Sequence, residues 1–581
     1  MAKANVVKPK KKKRVLSAKE RTKRSLQRQH RRDIRGVFSA VGFQRVEGAS
    51  DKEFTYDGVT SDFDDVFILE NVVVFAEYTI ASDISEHAKK KYLMYDRIRK
   101  DDARFIRFAR GAPLNIAGVL APKYSDTQIR VILLYCPLNP VQSELKAQIN
   151  HALFMDYSIV RYFKLLTKTV RRSAQHELLA FLGVEYKDFA DRALNANASP
   201  RDSFNGSVLP EHHSKFPEGY KVVSFYIQPS ALLSRAYVLR RDGWRDRNGL
   251  YQRMISRSKL DSIRKYLVDH QRVFVNNIIV TLPSGTKILN AEEDTISTTK
   301  IHTTQPAIIS IPSEFNSVGI IDGQHRVFSY YEGGANEDVI GALRLQQNLL
   351  VTGIIYPDNV SDPEKTRFEA ELFLEINSTQ TNAKSELKQA INQLIRPFLA
   401  DSIARDVLDK LNDGQGALSG KFSRSFFDVG GLRTTSVVSY GLRPLVRPSA
   451  PGPLFERWTD ADKDTFVSSE NDTARQRYID YCASQIELFF AAAKSRLPSD
   501  RWTTDRTVQN RLLTPTVVNG LLGAMRHALD AGLEITFDNL HSRLAGLEKF
   551  PFQQYRSSQY TVMSTKLFET FFASSKELMS V

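Results

Sequence analysis

Val318-Gly319-Ile320-Ile321-Asp322-Gly323-Gln324-His325-Arg326-Val327-Phe328-Ser329 is the stretch from which the chain is best read. An apolar run of strand character stops at Asp322-Gly323, and two basic side chains stand where a helix begins. Glycine lets the backbone turn sharply there, and the first helical N–H groups are left without partners. Such a corner suits an anion, and His325 and Arg326 add donors for phosphate oxygens. The same residues also read as an ordinary strand-to-helix turn, with Arg326 paired to a carboxylate such as Asp322.

Asp322-Gly323-Gln324-His325-Arg326 resembles the signature of the DGQHR-domain proteins, which include the DndB-like and DpdB-like proteins of DNA phosphorothioation and deazaguanine modification. That family resembles the ParB/sulfiredoxin fold, in which a Gly-x-x-Arg corner contacts a nucleoside triphosphate. Gln324 stands where sulfiredoxin has its reactive Cys, so the resemblance implies a nucleotide or nucleic-acid pocket without thiol chemistry. Two further segments extend it. Gln252-Arg253, Ile263-Arg264-Lys265-Tyr266-Leu267 and Phe274 to Val280 resemble the opening of such domains, and Phe373 to Gln380 resembles their "F..iN..q" element. The resemblance covers residues near 220 to 400. It implies a cofactor site at Asp322, Gly323, Gln324, His325, Arg326, Asn377 and Gln380, filled by an NTP of unspecified base.

Ser361-Asp362-Pro363-Glu364 has the form of a helix start, with a Ser cap, an early Pro and Glu three residues on. Phe368, Leu372 and Ile376 then recur at four-residue steps and are expected to face a core. This helix delivers Asn377 and Gln380 at its end, where amides can meet a base or ribose. Asn377 reads equally well as a helix C-cap.

A second constellation lies nearer the N-terminus. In Asp62-Phe-Asp-Asp-Val-Phe-Ile-Leu-Glu-Asn-Val-Val-Val-Phe-Ala-Glu-Tyr-Thr79, two β-rich runs flank Glu70-Asn71, which serves as a two-residue hairpin turn. Asp64 then faces Glu77 and Asp62 faces Thr79, with Cβ atoms roughly 5 Å apart. All four share one sheet face, and Asp65 points the other way. Opposed carboxylates repel unless a cation lies between them, which makes Asp64 and Glu77 candidate Mg²⁺ ligands.

The hairpin resembles the core of the PD-(D/E)xK nuclease superfamily, where Asp and Glu hold metal and a Lys two residues after the Glu assists the attacking water. Asp64 and Glu77 match the acidic positions, but Thr79 stands where that Lys should be. Lys89, Lys90 and Lys91 on the following helix can supply the charge, and Lys90 is the catalytic candidate beside Asp64 and Glu77. The other readings are a non-cutting nuclease fold that binds DNA and a solvated acidic hairpin.

At 581 residues the chain exceeds a single core, and 42% hydrophobic with 25% charged residues is a globular composition. No stretch approaches the ~18 apolar residues of a membrane span. Cys136 and Cys482 are the only cysteines, which argues against disulfides and a Cys-based zinc site and fits a reducing compartment. The charge is uneven. Residues 1–35 hold 15 Lys and Arg against Glu20 and Asp33, so this segment carries +13 of the total +15. Such a segment attracts polyanions without sequence preference, or is a solvated tail. Pro9 to Val15 also resembles a nuclear-import signal. His212-His213 lacks a partner at metal-ligand spacing and reads as solvated loop. The Arg240-Arg241 and Arg245-Asp246-Arg247 loop around Trp244 reads as nucleic-acid contact or salt-bridged surface.

The expected fold is α/β and multidomain. Residues 1–35 form a basic arm and the start of a helix running to about Val41. Residues 36–189 form a PD-(D/E)xK-like α/β domain, 190–219 a linker, 220–400 a ParB/sulfiredoxin-like α+β domain, and 401–581 a helical region. The function implied by the resemblances is that of a cytoplasmic, prokaryotic DNA-modification or anti-phage defence protein. It would bind DNA, a nucleotide and other defence proteins, and cleave DNA with Mg²⁺. The alternative is a non-enzymatic, DndB-like regulator or adaptor. No membrane partner is expected, and oligomerisation stays open.

Overall fold

The computed structural model describes residues 17–81, 84–139, 141, 143–194, 201–240, 244, 254–378, 385–423 and 431–573. Contacts divide the chain into two compact units, Met1–Tyr237 with Ile255–Ile355 and Val238–Met254 with Tyr356–Val581. The division falls inside the 220–400 segment expected as one domain. Among the described residues, no helix is long and apolar enough to cross a membrane. The free cysteines Cys136 and Cys482 are both buried.

The first unit opens with α1 (Ala18–Ala40), which starts at a Ser17/Glu20 capping box. Only its second half is amphipathic: His30, Ile34, Val37 and Phe38 are buried, whereas residues 21–29 are exposed. A mixed five-stranded sheet follows, in the order β1 (Gln44–Arg45), β2 (Asp65–Leu69), β3 (Val72–Thr79), β4 (Arg130–Pro137) and β5 (Leu153–Phe154). The first three strands pair antiparallel and the last three parallel. The parallel β3–β4 connection is made through α2 (Ser85–Lys100) and α3 (Asp102–Arg110). These helices cover one sheet face, where Val73, Phe75 and Leu133 meet Met94, Tyr95, Ile98 and Phe105. α1 covers the other, with Phe38 stacked on Phe67 at 4.5 Å and a His30 ring nitrogen 2.9 Å from the Cys136 carbonyl. α4 (Tyr157–Val170) packs beside α1. Between β4 and α4 the chain forms a short helix, Ser143–Gln148, and then β5, which pairs with β4.

The 190–219 stretch is not a linker throughout. It contains β6 (Arg201–Val208), an interior strand of an eight-stranded sheet. The other strands are β7 (Lys221–Ile227), β8 (Ala236–Tyr237), β9 (Ile278–Leu282), β10 (Lys287–Leu289), β11 (Gln305–Pro312), β12 (Val318–Asp322) and β13 (Leu349–Ile355), in the order β8-β12-β9-β13-β7-β6-β11-β10. β6 lacks apolar alternation because only Phe204 and Val208 are buried. It is a strand because β7 and β11 occupy both of its edges. Gly206 allows the approach: a Cβ there would lie 2.1 Å from the Ser224 carbonyl oxygen.

The second unit is mainly helical, as expected for 401–581. Its core gathers Val407, Tyr478, Phe489, Val518, Met525 and Leu567 from successive helices. A helix over Asp362–Ser378 carries the start of the "F..iN..q" element, whose end lies outside the described residues; Leu372 is buried, and Phe368 and Ile376 are partly buried. Arg240 is buried, and Arg241 and Arg245-Asp246-Arg247 of the expected basic loop lie outside the described residues.

Candidate functional site

The Glu70-Asn71 hairpin holds the expected register, with Leu69 opposite Val72 and Asp65 opposite Ala76. The turn is anchored as well as tight. Glu70 takes φ 52, and the Asn71 amide donates to the carbonyls of Gln128 and Asp188 at 2.8 Å each. This fixes where the acidic ends of the strands lie.

Asp65 is fully buried on the α1 side, held by Arg35 at 2.7 Å, Ser50 at 2.7 Å and the Tyr78 hydroxyl at 3.0 Å. Asp64 stands one residue beyond the last ladder pair. Its Oδ2 accepts the Tyr78 N–H at 2.7 Å, and its Oδ1 accepts from Arg31 of α1. Burial pushes the Asp64 carboxyl up, and the Tyr78 N–H and Arg31 pull it part of the way back. Arg31 also chelates Asp51, at 2.7 and 2.9 Å.

Glu77 is 2% exposed. Its Oε1 accepts from Lys91 Nζ at 2.6 Å, and the same ammonium meets Asp62 at 2.7 Å. Burial raises the Glu77 pKa well above the usual carboxylate range, Lys91 opposes the shift, and Asp64 and Asp62 add to it. For Lys91, burial works against the charged form, but Glu77 and Asp62 outweigh it and the pKa is raised. The lysine that reaches Glu77 is therefore Lys91, whereas Lys90 is exposed on the neighbouring helical face. Asp62 turns to this ammonium rather than opposing Thr79, whose hydroxyl accepts the Ala81 N–H at 3.2 Å.

His87, one turn before Lys91, was not singled out by sequence. A nitrogen of its ring, Nδ1, lies 2.7 Å from the Tyr135 hydroxyl, and Tyr135 is the β4 residue aligned with Glu77. Burial and then Lys91 lower the His87 pKa, so the ring is neutral at neutral pH. The available signal was the buried stripe of α2. Ala88, Tyr95 and Ile98 are fully buried, and Lys91 falls on their three- and four-residue spacing.

Two carboxylates completed by water and substrate phosphates are a donor set that Mg²⁺ accepts, so Asp64 and Glu77 fit such an ion. Among the described residues, no group of three or more His, Cys, Asp or Glu is arranged to hold a metal. In this conformation Arg31 and Lys91 supply the positive charge that opposed carboxylates need.

At the DGQHR corner, Gly323 takes φ 94 between β12 and a five-residue helix, Gln324–Phe328. Arg326 donates to Asp322 at 2.9 Å, and the His325 Nε2 accepts the Ser256 N–H at 3.2 Å. The arginine is thus engaged as the ordinary-turn reading foresaw. The Gln324 Oε1 is buried without a hydrogen-bond partner. The Asn377 side chain, Gln380 and Gln252-Arg253 lie outside the described residues, as does the Pro9 to Val15 run.

Compared with known proteins, the chain matches no family model, no curated protein and no solved structure.

Proposed function

We propose that this chain acts on DNA as a phosphodiester hydrolase of a modification or defence system, with Asp64, Glu77 and Lys91 as its reactive groups. The observation that carries this reading is the Lys91 ammonium on Glu77. A lysine displaced to α2 supplies the charge that Thr79 cannot. Asp64 and Glu77 would hold a divalent cation, which when bound lowers the pKa of water and offsets charge on the phosphoryl oxygens. Lys91 would orient an attacking water and stabilise the developing negative charge. His87, neutral and one turn away, is a candidate to accept that water's proton. Resemblance to the DGQHR-domain proteins supports the modification context, a cytoplasmic location and a nucleotide at Arg326.

The test is Mg²⁺-dependent nicking of plasmid and modified DNA. Glu77→Gln, nearly isosteric, should abolish cleavage and leave metal-free DNA binding intact. A second reading, a non-cutting regulator or adaptor, is favoured by one feature: Arg31 and Lys91 already satisfy Asp64 and Glu77. Absence of cleavage by the unaltered protein under every metal and nucleotide condition would select it.

A further inference from the structure

Beside α1 lies a cavity of about 600 Å³ with an unusual lining. Arg32 enters from α1, Lys164 and Lys168 from α4, Arg171 and Arg172 from the turn after it, and Arg257 from the start of the helix Arg257–His270. Asp33 is the only acid among the described lining residues, and Lys164 already pairs with it at 2.7 Å. No ion-pair partner for Lys168, Arg171 or Arg172 occurs among the described residues. Arg171 also holds φ 46, a left-handed backbone uncommon for a residue with a side chain. Unpaired like charges converging on one concavity are what a bound polyanion offsets.

The lining also says which polyanion. Among the described residues it contains no aromatic ring on which a base could stack. A single strand would need such rings. What remains is binding to phosphates of a duplex whose bases are already stacked. The cationic surface continues along α1, where Arg21, Arg24, Arg28 and Arg31 line a second cavity of about 720 Å³. Arg28 of that cavity and Arg32 of the first are one helical turn apart. From Arg21 to Arg32 the helix rises about 16 Å at ~1.5 Å per residue, the length of about five steps along one DNA strand.

We propose that these two cavities form one track for the sugar–phosphate backbone of duplex DNA, with the Lys168/Arg171/Arg172 end as its fixed anchor. The proposal rests on the DNA reading above and is independent of hydrolysis. It separates the folded track from residues 1–16, whose seven Lys and Arg would add only unspecific attraction.

The test is duplex binding by the full chain, without divalent cations, across a salt series. The variant is Lys168→Gln/Arg171→Gln/Arg172→Gln, and Lys52→Gln/Lys265→Gln/Lys300→Gln removes equal charge from exposed positions elsewhere. The first variant should bind about tenfold or more weakly, its salt slope falling by about 0.9 for each phosphate that is no longer neutralised. The second should stay close to the parent. Protein lacking residues 1–16 should still show the difference between the two variants. Melting curves superimposable with the parent establish that each variant is folded. Equal weakening in both variants, or weakening in neither, overturns the proposal. So does tight binding of ATP or inorganic triphosphate that the first variant abolishes while duplex affinity is unchanged, since the cavity then takes a small polyanion. A protein that binds as expected yet never cleaves refutes hydrolysis alone.

Discussion

Replacing Lys91 with Met should destabilise the first unit by an amount that grows with pH. The Lys91 side chain is 11% exposed and that of Glu77 3%, so the pair is screened little by water. Methionine keeps the apolar stem and adapts to its surroundings, which confines the change largely to charge. Removing one member of a buried pair costs about 3–5 kcal/mol when the survivor stays ionised. Glu77 can instead take a proton, at about 1.36 kcal/mol for each pH unit above its pKa. Burial raises that pKa in the folded protein above the unfolded value of 4.5, so between the two values the folded state binds more protons. The associated stability is complete below the unfolded value and is lost as pH rises through the folded one. Without the ammonium the folded value moves higher, and the loss extends further into alkaline pH. The deficit should be small near pH 5 and about 3 kcal/mol near pH 8, within the cost of an unpaired buried charge. Because a chain of two units need not unfold in one step, the assay is hydrogen exchange of the Val72–Thr79 amides during urea titration. An equal deficit at both pH values, or none at either, would refute the argument that Lys91 neutralises Glu77.

Arg326→Ala tests the corner at Gly323. If Arg326 serves phosphate, calorimetric titration with ATP, GTP and CTP should show affinity reduced ~100-fold or more, from two charge-assisted bonds of roughly 1.5–3 kcal/mol each. If it serves only Asp322, partly exposed at 37%, the melting temperature shifts slightly and binding does not change. Gly206→Ala tests β6: its Cβ would collide with the Ser224 carbonyl, and the loss in urea unfolding should reach at least the roughly 1–3 kcal/mol of an overpacked interior. Stability unchanged by that substitution would mean that the strand is not paired as described.

What could be read in advance was local. The hairpin register followed from Glu70-Asn71, because a two-residue turn leaves the flanking residues a single way to pair. A helix carrying Lys89, Lys90 and Lys91 was legible after the hairpin, but its phase was not. Three consecutive lysines offer three directions, and only packing of Ala88, Tyr95 and Ile98 onto the sheet decides that Lys91 points at Glu77 while Lys90 points to solvent. β6 was hidden for a related reason. A strand with two buried side chains in eight residues carries almost no periodic signal, and its conformation is imposed by neighbours from residues 221–227 and 305–312.

The charges show the same division between local and distant information. The pairing of Asp64 with Glu77 raised the expectation of a cation, and in this structure each carboxylate meets a cation of the protein, Arg31 on Asp64 and Lys91 on Glu77. A metal leaves no trace in sequence beyond its ligands, whereas Arg31 lies 33 residues before Asp64 and Lys91 14 residues after Glu77. Arg31 also lines the basic cavity along α1. A DNA phosphate arriving on that track would compete with Asp64 for the same guanidinium, and the Asp64 Oδ1 it released would be free to take a divalent ion. Binding of the polyanion and loading of the acidic pair would then be one linked equilibrium, with DNA tightening metal and metal tightening DNA by equal factors.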